Sequence, residues 1–332
     1  MTVYDRHNFA RVREINGPVR PTDAPPALGF APMADERDLE RLLGRPVANA
    51  TKAAWGFTNR TDMVELDGGD RVVVQRYRRR ADAERRLATM RALHDPAAAA
   101  GIATPRVRDA DLDAQPPWVV FDVLPGVPIP EAGDTAFDGP RFRAMVEAMG
   151  ELLATFRSLQ ITGLALDDTW ADPHRLATAA AGWADAIDGL DRPAIDAVLA
   201  RLPQLFAGRP AVLAHGDFAP VNVLTDGTTI TGLLDFEAVR LADPLFDPAW
   251  WAWAMSFASS SLLTAVWPAF LRAAKIDPGD SDLTERVHAL QILRMLELLA
   301  DEGSLDGPVR DVVHRRLVGS GETRTETTPP RQ

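Results

Sequence analysis

The sequence predicts an α+β fold, with its strands gathered before about residue 125 and its helices filling the rest. Three observations predict it. Runs at 72–77 and 118–124 are rich in β-branched and aromatic residues and bounded by turn residues, as buried strands are. From residue 139 onward, apolar residues recur at three- and four-residue spacing, as in Phe142, Met145, Met149, Leu152, Leu153, Phe156 and Leu159. One hairpin interrupts that helical part: apolar runs at 221–224 and 230–234 flank Asp226-Gly227, a strong turn signal.

The chain has 332 residues, enough for one two-lobed unit or two ordinary domains, and its 46% hydrophobic content is normal for a packed core. It has no cysteine, which excludes disulfides and cysteine-based metal sites and fits a reducing cytoplasm. The first residues lack the apolar run of a signal peptide, and no run of about 18 apolar residues predicts a membrane span. A net charge of −11 disfavours nucleic acid as a partner and favours cationic small molecules. His7, His94, His174, His288 and His314 show no metal-ligand spacing.

Taken in order, residues 1–34 hold Pro18, Pro21, Pro25, Pro26 and Pro32 and few periodic apolar positions, so a loose extension is expected. Residues 35–44 read as a short helix ended by Gly44. Strands are expected at 50–55, 62–66 and 72–77, with the turn Asp67-Gly68-Gly69-Asp70 between the last two. The loop 56–61, with Thr58 and Asn59, is built of small and hydroxyl-bearing residues that let backbone N–H groups approach phosphates. Leu87, Met90 and Leu93 place an amphipathic helix at 81–94. The strand at 118–124 runs into Pro125-Gly126. Helices follow at 139–160, at two places within 174–207 on either side of Asp191-Arg192-Pro193, at 260–274 and at 283–299. The polar tail 319–332 is expected to be disordered.

The chemistry concentrates at 213–237. His215, Asp217 and Asn222 read H-x-D-x-x-x-x-N, and Asp235 follows in Leu-Leu-Asp-Phe-Glu. Phosphoryl transfer leaves a protein little covalent work, so it needs a carboxylate at the attacking hydroxyl and oxygen ligands for magnesium. Asp217 is the candidate base. Asn222 and Asp235 are the candidate ligands, and two suffice because magnesium keeps several waters. The hairpin folds Asp235 back toward the loop that carries the other two. Three residue types at fixed spacing arise by chance in about one chain in twenty-five, at ~5% usage per type. The Asp-Gly hairpin and the following Asp-Phe make the pattern far more specific.

The segment His215-Gly216-Asp217-Phe218-Ala219-Pro220-Val221-Asn222-Val223-Leu224 resembles the aminoglycoside phosphotransferase and choline kinase family. Leu234-Asp235-Phe236-Glu237 and Ala242-Asp243-Pro244-Leu245-Phe246-Asp247 extend the likeness, which covers about residues 35–318. The resemblance implies a two-lobed protein-kinase-like fold. Its small antiparallel-sheet lobe would span 35–124 and its larger, mostly helical lobe 125–318. It also implies ATP or GTP as co-substrate, Mg2+, and a small-molecule hydroxyl as acceptor. A monomer or homodimer is expected. By the same resemblance Asp122, Val123 and Leu124 are a hinge whose backbone meets the nucleobase. His215 props the catalytic loop, and Asp243 and Asp247 brace it. Glu237, Trp251, Glu297 and Asp301 are candidates for the acceptor side.

One departure from the family stands out. The family places Lys or Arg on the second strand, against the triphosphate and a helix glutamate. Here Gln75 aligns with that cation and Arg76 stands beside it. Strand side chains alternate faces, so the two cannot both meet the nucleotide without a bulge. Either Arg76 takes the role through a register change, or the phosphates are gripped without this cation. Glu84, on the next helix, is the expected partner.

The expectation is therefore an O-phosphotransferase acting on an antibiotic, either an aminoglycoside or a sugar-bearing nucleoside antibiotic, and so conferring resistance. A metabolic kinase of a sugar or amino alcohol stays open. So does a non-catalytic nucleotide-binding protein, on account of Gln75. The chain lacks the Ala-Pro-Glu segment of protein kinases.

Overall fold

The computed structural model describes residues 36–53, 59–131, 139–256, 260–301, 305 and 307–322. The expected extension 1–34, Thr58 and the tail beyond Glu322 lie outside the described residues. The fold is α+β in two lobes, a small one built on an antiparallel sheet and a larger one of helices.

The small lobe opens with helix α1 (Glu36–Leu43), which stops at Gly44 with φ 63°. Strands β1 (Val47–Lys52), β2 (Arg60–Leu66), β3 (Arg71–Arg76), β4 (Val107–Asp111) and β5 (Trp118–Asp122) form one antiparallel sheet, in the order β1-β2-β3-β5-β4. Gly68 and Gly69, both at positive φ, make the β2–β3 turn. The alternation of β3 organises the lobe. Val72 and Val74 pack with Leu39, Val64, Leu66, Trp118 and Val120 under α1. Val73 and Gln75 face the other way, into the interlobe cleft. Helix α2 (Arg80–Ala99) crosses that second face and buries Leu87, Met90 and Leu93.

The chain leaves β5 and passes through the two-residue strand β6 (Val127–Pro128) into the larger lobe. Its helices are α3 (Gly139–Arg157), α4 (Pro173–Asp185), α5 (Arg192–Leu205), α6 (Phe246–Met255), α7 (Ser260–Ala273), α8 (Leu283–Ala300) and α9 (Gly307–Glu322). Helices α3 and α7 lie so close at Gly150 that a Cβ there would stand 2.6 Å from the Phe270 carbonyl oxygen. Asp172 and Asp191 cap α4 and α5 by accepting backbone N–H bonds, each with proline at the start of the helix. Short strands β7 (Val212–Ala214), β8 (Val223–Thr225), β9 (Ile230–Leu233) and β10 (Arg240–Ala242) frame the loop of interest. Strand β7 pairs with β10, and β8 with β6 and β9. Among the described residues no helix is long and apolar enough to cross a membrane.

Several elements differ from expectation. Helix α2 runs five residues past 94 and carries Pro96 inside it. Strand β4 and helix α9 were not foreseen: β4 reads VRDAD, with no apolar alternation. Helix α9 continues to Glu322, beyond the expected start of the disordered tail. The run expected to begin a strand at 221 instead starts as a 3-10 turn over Pro220–Asn222.

Candidate active site

The loop after β7 is held from beneath by Asp247. Its carboxylate accepts the backbone N–H of His215 at 2.8 Å and of Gly216 at 2.9 Å, and the side chain is buried. Gly216 turns the chain at φ 88°, and a Cβ there would lie 1.9 Å from the Ala238 carbonyl oxygen. Only glycine fits. His215 is fully buried. Its Nε2 donates to the Leu234 carbonyl at 2.9 Å, and its Nδ1 accepts the Asp217 N–H at 3.3 Å. Those partners select one neutral tautomer, and burial pushes the ring's pKa down. The ring is thus a spacer between the loop and the end of β9.

Asp217 has both carboxylate oxygens engaged. Trp250 Nε1 donates to Oδ1 at 2.6 Å and Asn222 Nδ2 to Oδ2 at 3.0 Å. Asn222 also donates to the Asp217 carbonyl at 2.9 Å, and the 3-10 turn of Pro220–Asn222 brings it there. Because Asn222 turns its nitrogen to Asp217, its Oδ1 is the end that can meet a cation. The β8–β9 hairpin then returns the chain: Leu234 N–H donates to the Asn222 carbonyl at 2.8 Å. Asp235 follows in the left-handed region, φ 63°, which costs a non-glycine residue free energy. Enclosure in the cleft and the charge of Asp217 push the Asp235 pKa up, against the pull of Arg86.

These groups line a cleft of about 1620 Å³ between the lobes. On its small-lobe side, Asn59 Nδ2 donates to both oxygens of Glu237, at 2.9 and 3.1 Å, and Gln75 Nε2 donates to one at 3.2 Å. Gln75 in turn accepts the Tyr77 hydroxyl at 2.6 Å. Burial, then the charge of Asp235, push Glu237 up to about 7. Glu237 was expected on the acceptor side. It instead ties the small lobe to the strand end that carries Asp235.

The structure places Gln75 and Arg76 on opposite faces of β3. Strand β3 pairs with β2 and β5 without a bulge at Gln75 or Arg76. Arg76 therefore points away from the cleft and bonds Asp62 at 2.8 Å. No register change gives it the nucleotide. Glu84 is also misplaced by expectation: it faces solvent and pairs with Arg80 at 2.6 Å. The helix side chain that pairs with Asp235 is Arg86, 5% exposed, with Nη1 3.7 Å from Asp235 Oδ1 and its guanidinium 5.4 Å from the Phe121 ring centre. Sequence reasoning missed it. The available signal was an arginine on the apolar stripe of Ala83, Leu87, Met90 and Leu93. At the hinge, Val123 and Leu124 line the cleft, and Asp122 does too while its carboxylate is paired with Arg108.

The other end of the cleft also differs from expectation. Trp251 is fully buried, its ring 4.0 Å from that of Phe270, and does not reach the cleft. Trp250 and Trp253, stacked at 4.3 Å, line it instead. Leu298, Leu305, Val309 and Val313 continue this apolar wall. Glu297 lies in the wall but is saturated: it accepts from Arg240 at 2.6 Å, from Trp170 Nε1 at 3.2 Å, and from Arg294. Burial alone would push it up, and the two guanidinium groups outweigh burial and hold it at about 2. Asp301 stands exposed at the rim. Among the described residues no group of three or more His, Asp or Glu side chains forms a complete metal cage.

Comparison with solved structures finds the same fold at low identity. Aminoglycoside phosphotransferase APH(4)-Ia, as a thermostable mutant, is similar with a TM-score of 0.66 and 17% identity, over 88% of this chain and 100% of that one. APH(2")-IIia, in its complex with GDP and kanamycin, is similar with a TM-score of 0.63 and 15% identity, over 84% and 94%. Macrolide 2'-phosphotransferase MphH from Brachybacterium faecium gives a TM-score of 0.59 and 17% identity, over 89% and 97%. No curated protein sequence matches the chain. The phosphotransferase enzyme family matches from the first strand of the small lobe into α8, residues 49–290 and well over half of the 332, and this protein belongs to that family.

Proposed function

We propose that the protein transfers the γ-phosphoryl group of ATP or GTP, with magnesium, to a hydroxyl of a small molecule. The observation that carries this reading is the convergence of Asp217, Asn222 and Asp235 on one cleft between the lobes. Asn222 Oδ1 and the Asp235 carboxylate would hold magnesium, a hard cation that keeps most of its waters and needs no complete protein cage. Burial, then the charge of Asp217, disfavour the ionised form of Asp235, and a cation there would offset both. When bound, magnesium neutralises phosphate charge. Asp217, its oxygens fixed by Trp250 and Asn222, orients the acceptor hydroxyl and accepts its proton. Val123 and Leu124 would meet the nucleobase, with Asn59 near the phosphates. Similar structures hold GDP or ADP, which supports a nucleotide in this cleft.

The acceptor in this reading is an antibiotic, an aminoglycoside or a sugar-bearing nucleoside antibiotic, and the enzyme a resistance factor. A specific observation favours a second reading. The acceptor end is walled by Trp250, Trp253, Leu298 and Val313, and its carboxylate Glu297 is neutralised by two arginines. That lining suits an acceptor with a large apolar face and few ammonium groups, such as a macrolide, better than a polycation. Mass spectrometry decides. Protein with magnesium and ATP or GTP is incubated with aminoglycosides, nucleoside antibiotics, macrolides and amino alcohols. Gain of one phosphate on one compound, lost in Asp217→Asn, supports the kinase and names its acceptor. Nucleotide binding with no transfer to any compound overturns it in favour of a non-catalytic binding protein.

A further inference from the structure

We infer that Arg86 of α2 is the cation that holds the nucleotide's phosphate tail, in place of the strand cation this chain lacks. The inference rests on the nucleotide-dependent reading above. The cleft-facing residue of β3 is Gln75, whose amide is already spent on Glu237 and Tyr77. Its neighbour Arg76 is turned to Asp62 on the far face. The same end of the cleft carries three carboxylates, Asp217, Asp235 and Glu237. A triphosphate would add more negative charge, so a buried cation is required beside the metal.

Arg86 meets that need by position and by unused valence. Its side chain is only 6% exposed, yet Nε and Nη1 are buried with no hydrogen-bond partner. Its ion pair with Asp235, at 3.7 Å, is too long to be a hydrogen bond. Buried donors without acceptors are destabilising, so a guanidinium kept in this state at a cleft points to acceptors that arrive with a ligand. Three other cleft arginines are already engaged: Arg85 with Asp82 at 2.8 Å, Arg108 with Asp70 at 2.7 Å, and Arg240 with Glu297 at 2.6 Å. An anion that reaches Asp235 through a cation also comes within reach of Nη1. The planar guanidinium fork suits phosphate oxygens, whereas Gln75 offers only a neutral amide. The charge pattern of strand and helix is thus inverted: the amide sits on the strand and the cation on the helix.

Nucleotide binding tests this without an acceptor. Calorimetric titration in magnesium compares ATP, GTP and the free nucleosides on wild type, Arg86→Ala, Arg86→Lys and the double variant Arg86→Ala/Gln75→Lys. The expected result is a loss of about 10–100-fold in triphosphate affinity for Arg86→Ala, with nucleoside affinity within twofold of wild type. Arg86→Lys keeps part of the affinity, and Gln75→Lys restores it in the double variant. If Arg86→Ala does not fold, the double variant decides: triphosphate affinity near wild type supports the inference. Unchanged triphosphate affinity in Arg86→Ala overturns it, as does an equal loss for triphosphate and nucleoside. Wild type that binds no magnesium nucleotide overturns the kinase reading itself. Wild type that binds it regardless of Arg86 overturns this inference alone.

Discussion

The indole N–H of Trp250 donates to Asp217 Oδ1 at 2.6 Å, so the candidate base takes its orientation from a helix that begins 29 residues later. The opposite oxygen is held by Asn222 from the same loop. One hydrogen bond is local and the other crosses to α6, and between them the carboxylate has one orientation.

Trp250→Phe keeps the ring stacked on Trp253 and removes the N–H. A hydrogen bond to a charged group contributes about 1.5–3 kcal/mol, so kcat is expected to fall ~10–100-fold. Nucleotide KM stays within about twofold, because the lost bond touches only the base. Steady-state kinetics with the acceptor identified by mass spectrometry reads both values. A drop in nucleotide affinity equal to the drop in kcat would mean that the indole merely supports the fold.

Gly216→Ala places a methyl 1.9 Å from the Ala238 carbonyl oxygen at a backbone φ of 88°. Neither the clash nor the strain can relax without moving the loop. A loss of at least ~2–3 kcal/mol is expected, with transfer activity lost even in the protein that remains folded. Thermal melting and activity per folded molecule measure the two effects.

Glu297 gives a pH signature. Its usual pKa is 4.5 and in the fold it is held at about 2 by Arg240 and Arg294 against the effect of burial. A carboxylate lowered in the native state stabilises the fold above its unfolded pKa, and that contribution disappears as pH falls from 4.5 toward 2. The shift corresponds to about 3 kcal/mol. Urea unfolding at a series of pH values should show wild type losing more stability than Glu297→Gln between about pH 5 and pH 3. Parallel curves would contradict the assignment.

Arg286 and Asp243 form a buried pair, with Arg286 Nη2 at 2.7 and 2.8 Å from the two oxygens of Asp243. Arg286→Met leaves that carboxylate buried without its partner and should cost about 3–5 kcal/mol. Adding Asp243→Asn should recover part of the loss, and a double-mutant cycle by chemical unfolding gives the coupling.

The loop was legible in the sequence because its chemistry demands particular residue types within one continuous stretch, from His215 to Asn222, with Asp235 one hairpin away. What lies across the cleft was not. Glu84 and Arg86 are two positions apart on a helix, about 200° around its axis, so one faces water when the other faces Asp235. Their choice depends on how α2 is rotated against the sheet, which no local pattern states. The tryptophans follow the same geometry. Trp250 and Trp253 are three apart and share a face, while Trp251 is turned by about 100° into the core. Glu297 looked like a free acid because Arg240, one of the groups that neutralise it, lies 57 residues away in the chain. Gln75 and Arg76 were correctly seen as mutually exclusive, since strand alternation is local; which of them faces the cleft needed the register with β5.

The left-handed backbone at Asp235 has a consequence for how this protein can change over generations. Glycine occupies that conformation at no steric cost, so Asp235→Gly is a substitution the backbone itself invites. It is also one that removes the carboxylate closest to Arg86. Screening for heat tolerance alone and screening for turnover would therefore push this single codon in opposite directions, and a library selected only for robustness would be expected to accumulate inactive members there.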